Sequence, residues 1–252
     1  MNYPYISARS SNAYMIIMRK IAFIMFLGGL LASGLYGQRS YLGLSFGASL
    51  PSEEFAKKSL AEDGGYALPG FVIEFSGAYV FDYYIGIAGT FTFSSNPPDR
   101  DALKQDLIDA ITGPVPPEIE EVIFNHGSWM YSNLMAGPFF TIPIAFMNLD
   151  FRAVAGLSIL LSPPWELTVH TTEGTYFTTR SGNTASFAYM LGTGIRFHIN
   201  SNYAIRVSGD YFHSKPTFSV NENSAVGAAT GKSTYDMSVG TINLNVGIAY
   251  RF

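Results

Sequence analysis

The sequence predicts an all-β fold, an eight-stranded antiparallel up-and-down transmembrane β-barrel, from three observations. Eight segments alternate apolar with small or polar residues, and the connections between them are alternately long and short. Charge is also scarce: 13% of the 252 residues are charged, against about a quarter in soluble domains.

The alternating segments are 41–50, 71–81, 83–93, 129–142, 149–161, 186–199, 203–213 and 239–252. Each has about the 9–11 residues, or slightly more, that a tilted strand needs to cross a bilayer. Long connections at 51–70, 94–128, 162–185 and 214–238 take turns with short ones around Asp82, at 143–148 and at 200–202. Short turns on one side and long loops on the other are the pattern of an outer-membrane barrel. A β-sandwich mixes loop lengths without such order.

The faces follow from period two. The last segment sets Ile242, Leu244, Val246, Ile248, Tyr250 and Phe252 against Thr241, Asn243, Asn245, Gly247, Ala249 and Arg251. The first sets Leu42, Leu44, Phe46 and Leu50 against Gly43, Ser45, Gly47 and Ser49. Aromatics recur near strand ends, as interface girdles require. The fourth segment is ambiguous, because Pro138 removes a ladder donor and both faces mix apolar and polar residues.

Residues 18–38, "MRKIAFIMFLGGLLASGLYGQ", read as a signal peptide: Arg19 and Lys20 precede an apolar run and then small residues. Cleavage is expected after Gly34 or Gly37, with the second favoured, and Met18 is the expected start. This divides the chain into an extension plus signal peptide, 1–37, and a barrel domain, 38–252. The apolar run is shorter than the ~20 residues of a membrane-spanning helix.

No cysteine is present, which excludes disulfides, thiol chemistry and Cys-ligated zinc. The four histidines form no cluster with metal-ligand spacing. No glycine-rich phosphate loop precedes a helix, so no cofactor and no metal are expected. With a net charge of -4 and no basic-aromatic patch, nucleic acid is not a partner.

The inward faces bring Glu74, Asp150, Arg152, Arg196, His198, Arg206, Asp210 and Arg251 into the lumen. Strand direction places Asp150, Arg152, Arg196, Arg206 and Arg251 in the half nearest the termini, with Glu74 and Asp210 higher. Eight strands enclose only enough space for side chains to fill. Opposite charges there should pair, since an isolated buried charge is unfavourable. The expectation is a polar plug. The alternative is a narrow pore that favours anions, because arginine outnumbers acid.

In the second loop, 101–111 has helical spacing at Leu103, Leu107, Ile108 and Ile111, and a second short helix is expected near Pro117. These proline-bounded helices would cap the mouth or offer an apolar surface to a partner. The threonine-rich third loop reads as a hydrated strand extension or surface epitope, with His170 within it; His213 ends a strand. His126 and Ser128 are expected on one face at the start of the fourth strand, where a base and a hydroxyl nucleophile could meet. This resembles the arrangement in lipid A deacylase barrels. The orienting carboxylate has no counterpart, since Glu118, Glu120 and Glu121 are loop residues.

Residues 38–252 resemble the small eight-stranded outer-membrane β-barrels of Gram-negative bacteria, the OmpA-like, OmpX-like and OmpW-like group. The most specific element is the end of the chain, where Tyr250 and Phe252 match the family's terminal assembly signal. A weaker likeness is the central hairpin, with Gly137 and Pro138 before its turn. The resemblance implies an integral protein of the outer membrane in contact with lipid and lipopolysaccharide and recognised by the assembly machinery. It further implies a structural or surface-interaction role without enzyme activity, with a surface or secretion-system protein as a possible partner. The alternatives are a narrow pore, a transporter of small hydrophobic molecules, a lipid A-modifying enzyme and a secretion-system accessory barrel.

Overall fold

The computed structural model describes residues 40–59, 64–82, 84–112, 119–172, 174–224 and 231–252. The expected signal peptide, its cleavage sites and Met18 lie outside the described residues.

Eight strands close a ring: β1 (Tyr41–Ser52), β2 (Gly70–Asp82), β3 (Ile85–Asn96), β5 (Trp129–Ile144), β6 (Met147–Leu161), β8 (Gly174–His198), β9 (Tyr203–Ser214) and β12 (Val239–Arg251). Each pairs antiparallel with its neighbours in that order. The ring is sealed where β1 meets β12, from Tyr41↔Arg251 to Ser52↔Gly240. The intervening elements are α1 (Glu53–Ala56), α2 (Arg100–Thr112), β4 (Ile119–His126), β7 (Trp165–Thr171), β10 (Thr217–Ser224) and β11 (Gly231–Asp236).

Period two sets inside against outside on every ring strand. Ser45, Glu74, Thr92, Arg196 and Asp210 are buried within, while Phe46, Ile87, Leu134, Phe187 and Ile248 are exposed on the outer wall. A soluble sheet would bury those large side chains against a second layer. Here they form a continuous apolar surface, stable only against a non-aqueous neighbour. The ambiguity of the fourth segment disappears: Trp129, Tyr131, Asn133, Met135, Phe139 and Thr141 point in, and Met130, Leu134 and Phe140 point out. Pro138 is exposed on the outer wall, in register with Ile87 of β3.

The short connections are built locally. Ile144 pairs with Met147 around the two-residue turn Ala145 and Phe146, with Ala145 at φ 50. Positive φ at the first central residue suits the right-handed twist of a tight hairpin. Between β8 and β9, the Asn200 side-chain oxygen accepts the backbone N–H groups of Asn202 and Tyr203 at 2.9 and 2.8 Å.

At the opposite end the long loops fold into further sheet. β8 continues past the ring, where β7 and β10 pair with it. β4 pairs with β7, and β11 with β10. The strand extension expected of the third loop is present, and the second and fourth loops join it. Helix α2 matches the expected 101–111, and its Leu103, Leu107 and Ile108 pack on Phe124, Leu167 and Val169. The helix expected near Pro117 is not formed at 119–126. That stretch is β4, paired antiparallel with β7, with Phe124 buried and Val122 packed against the same cluster as Leu167 and Val169. Residues 113–118 lie outside the described residues.

Candidate functional site

The lumen is stratified. Nearest the short turns, Arg196 is fully buried, and its Nε and Nη2 donate to Asp150 at 2.5 and 2.9 Å. Thr141 Oγ1 donates to Asp150 at 2.7 Å and accepts from Asn148 Nδ2 at 3.1 Å. The Arg196 guanidinium lies 4.2 Å from the centre of the Tyr41 ring, a cation–π contact that balances part of its burial. Tyr41 is legible from strand parity, since it precedes Gly43 and Ser45 on the inward face.

One level up, four charges form a single network. Arg152 Nη2 reaches Glu74 at 2.6 Å and Asp210 at 2.7 Å, and Arg206 Nη1 reaches the other Glu74 oxygen at 2.5 Å. Ser76 accepts from Arg206 at 2.7 Å, and Asn245 donates to Asp210 at 3.3 Å. Two carboxylates thus meet two guanidiniums, the balance that low-polarity surroundings require. Glu74 and Asp210, expected above the arginines, are in reach of them: Arg152 contacts both and Arg206 contacts Glu74.

His198 and Arg251 end the column near the short turns, and both are partly exposed. His198 Nε2 has no hydrogen-bond partner among the described residues. Of the eight predicted lumen residues, the structure joins six in two ion-pair groups, while His198 and Arg251 stand at the rim.

Toward the long loops the lumen is aromatic, which sequence faces described as small and polar did not foresee. Tyr131 stacks on Phe212 with centroids 5.6 Å apart, and Trp129 meets Phe218 at 5.6 Å. The Tyr131 hydroxyl bonds Ser49 at 2.9 Å and donates to Asn96 at 3.2 Å. The signal is present in Trp129, Tyr131 and Phe212, each at an inward parity position.

The mouth is capped by the first loop rather than by α2. Phe55 of α1 is fully buried, 5.4 Å from Trp129 and 6.2 Å from Tyr131 between ring centres. Trp129 Nε1 donates to the Gly65 carbonyl at 2.7 Å. Helix α2 instead braces this loop from the side: Tyr66 donates to Asp106, and Lys58 pairs with Asp99 at 2.6 Å. A single phenylalanine in a polar loop carries no periodic signal, so sequence reasoning assigns the cap to the visible helix.

The His126 and Ser128 pair is not assembled as expected. His126 ends β4 and donates through Nδ1 to the Gly127 carbonyl at 3.0 Å, and Ser128 lies between β4 and β5, outside any strand. The start of the fourth ring strand is Trp129, so the two residues do not share its inward face. Among the described residues no group of three or more acidic or histidine side chains is placed to hold a metal.

No protein-family model matches the chain, and no curated protein matches its sequence. Solved structures do. The attachment invasion locus protein Ail of Yersinia pestis aligns at 16% identity over 85% of this chain and 99% of its own, with a TM-score of 0.40. Neisserial surface protein A aligns at 13% over 84% and 97%, with a TM-score of 0.42. A major outer membrane protein of Thermus thermophilus aligns at 12% over 84% and 99%, with a TM-score of 0.45. On its own strand order, sealed from β8 to β9 and from β1 to β12 with an apolar outer wall, the chain is an eight-stranded antiparallel up-and-down β-barrel.

Proposed function

We propose that this protein is integral to the outer membrane, that its lumen is closed, and that it acts through the sheet and cap it displays at the cell surface. One observation supports the reading: side chains meet across the interior at three levels, Asp150 with Arg196, the Glu74, Arg152, Arg206 and Asp210 network, and Phe55 among aromatics. A filled interior supports a structural or surface-interaction role over conduction. The apolar outer wall supports contact with lipid and lipopolysaccharide. Tyr250, exposed on that wall, and Phe252 remain the proposed assembly signal, and the His126 geometry lends no support to lipid chemistry.

The topology is tested on intact cells with single cysteines, since the native chain has none. Ser219→Cys in β10 should react with a membrane-impermeant maleimide on whole cells, and Asn200→Cys in a short turn only after permeabilisation. The reverse pattern would contradict the reading.

A further inference from the structure

The cap has the chemistry of a tethered ligand. Phe55 offers its ring to Trp129 and Tyr131, its N–H donates to the Ser238 carbonyl at 3.2 Å, and the Glu54 carboxylate accepts the Ser238 N–H at 2.5 Å. Ring, donor and acceptor therefore converge on one socket, with Ser238 contributing both of its backbone groups. A turn of only four residues presents them, and it begins at Glu53 with φ 58, a left-handed conformation that side chains other than glycine disfavour. Glu53 itself reaches over the rim, where its carboxylate accepts from Tyr211 and lies 3.1 Å from His213 Nδ1. The turn is thus held by polar contacts at Glu53 and Glu54 and by backbone bonds that the Gly65 and Ala67 N–H groups donate to the Glu54 and Phe55 carbonyls, both at 3.0 Å, while Phe55 supplies the buried anchor. Buried aromatic anchors in desolvated pockets are what partner proteins supply to hot spots.

We propose that the outer mouth is a peptide-binding socket, filled in the resting state by Glu54 and Phe55, for a partner's turn carrying an acidic residue followed by an aromatic one. The ring enters between Trp129 and Tyr131, and the carboxylate and the aromatic residue's N–H take the two Ser238 groups. The charge network beneath is untouched, so the lumen stays closed while the socket exchanges occupants. The inference rests on the surface-interaction reading and names its partner chemistry. Its failure is separable, because cell labelling reports topology and conductance reports the plug, whereas peptide binding reports only the mouth.

The test uses the full barrel in nanodiscs and a labelled peptide, Ser-Glu-Glu-Phe-Ala-Lys, which copies residues 52–57. The variant Glu54→Ala/Phe55→Ala, shown to be folded by its heat-dependent gel mobility, should bind this peptide saturably. Wild type should bind it at least about tenfold more weakly, since the binding-competent state is taxed by its own loop. The same peptide with alanine for phenylalanine should bind neither protein. The proposal is overturned if the folded variant binds no peptide, if both peptides bind alike, or if wild type and variant bind equally.

Discussion

At the residue scale the fold depends on a few buried contacts of opposite kinds. Glu74 accepts from two arginines while fully buried, so removing any member strands a charge in the lumen. Arg206→Ala and Glu74→Ala should each lower stability by about 3–5 kcal/mol, read as a shift in the urea midpoint of the barrel in lipid vesicles. An unchanged midpoint would show that the ion pairs are not in place. Glycines divide in a similar way. A Cβ on Gly47 would lie 1.9 Å from the Leu244 carbonyl oxygen, whereas one on Gly89 meets nothing within 4 Å. Gly47→Ala should therefore cost about 1–3 kcal/mol through strain between β1 and β12. Gly89→Ala should be neutral or slightly stabilising in the same unfolding assay.

At the element scale, α2 depends on its first turn. Asp99 accepts the Ala102 N–H at 3.2 Å and pairs with Lys58 at 2.6 Å. The bond from Lys58, then that from Ala102, holds the Asp99 carboxyl below its ordinary value of 3.8. With the folded value below the unfolded one, the contribution is fully present above about pH 4 and is lost as pH falls through the folded value. Helix α2 should therefore become more protease-sensitive below about pH 4, while Asp99→Asn should show raised sensitivity already at neutral pH and a smaller change on acidification. Digestion rates independent of pH would contradict the capping role.

The same scale shows what the sequence discloses and why it stops. All eight ring strands are legible because an apolar outer wall and a polar or aromatic inner face enforce period two along their whole length. Helix α2 is legible from Leu103, Leu107 and Ile108. Strand β4 is not, because its pairing with β7 joins residues far apart in sequence, from His126↔Trp165 to Ile119↔Thr171, and Pro117 gives the opposite local cue. Strand β7 does carry a readable alternation in Leu167 and Val169, obscured by the threonines around it. Phe55 is illegible for a different reason: its burial depends on Trp129, Tyr131 and Ser238, which lie far away in sequence. The lumen charges follow from parity, but their partners need the stagger between strands, which parity does not contain.

For the whole molecule, closure is the source of rigidity. Every ring strand has two partners, so no backbone edge remains within the ring among the described residues, and separation requires breaking a complete ladder. The protein should migrate on gels at a different mobility before and after boiling in detergent, and identical mobilities would count against a closed barrel.

The proposed function turns on this closed ring enclosing a filled interior. Single-channel conductance of the refolded barrel in a planar bilayer tests it most directly. The structure predicts no resolvable current in wild type. A steady, anion-selective current altered by Arg196→Ala or Arg206→Ala would mean that the lumen is a path, and would contradict the account.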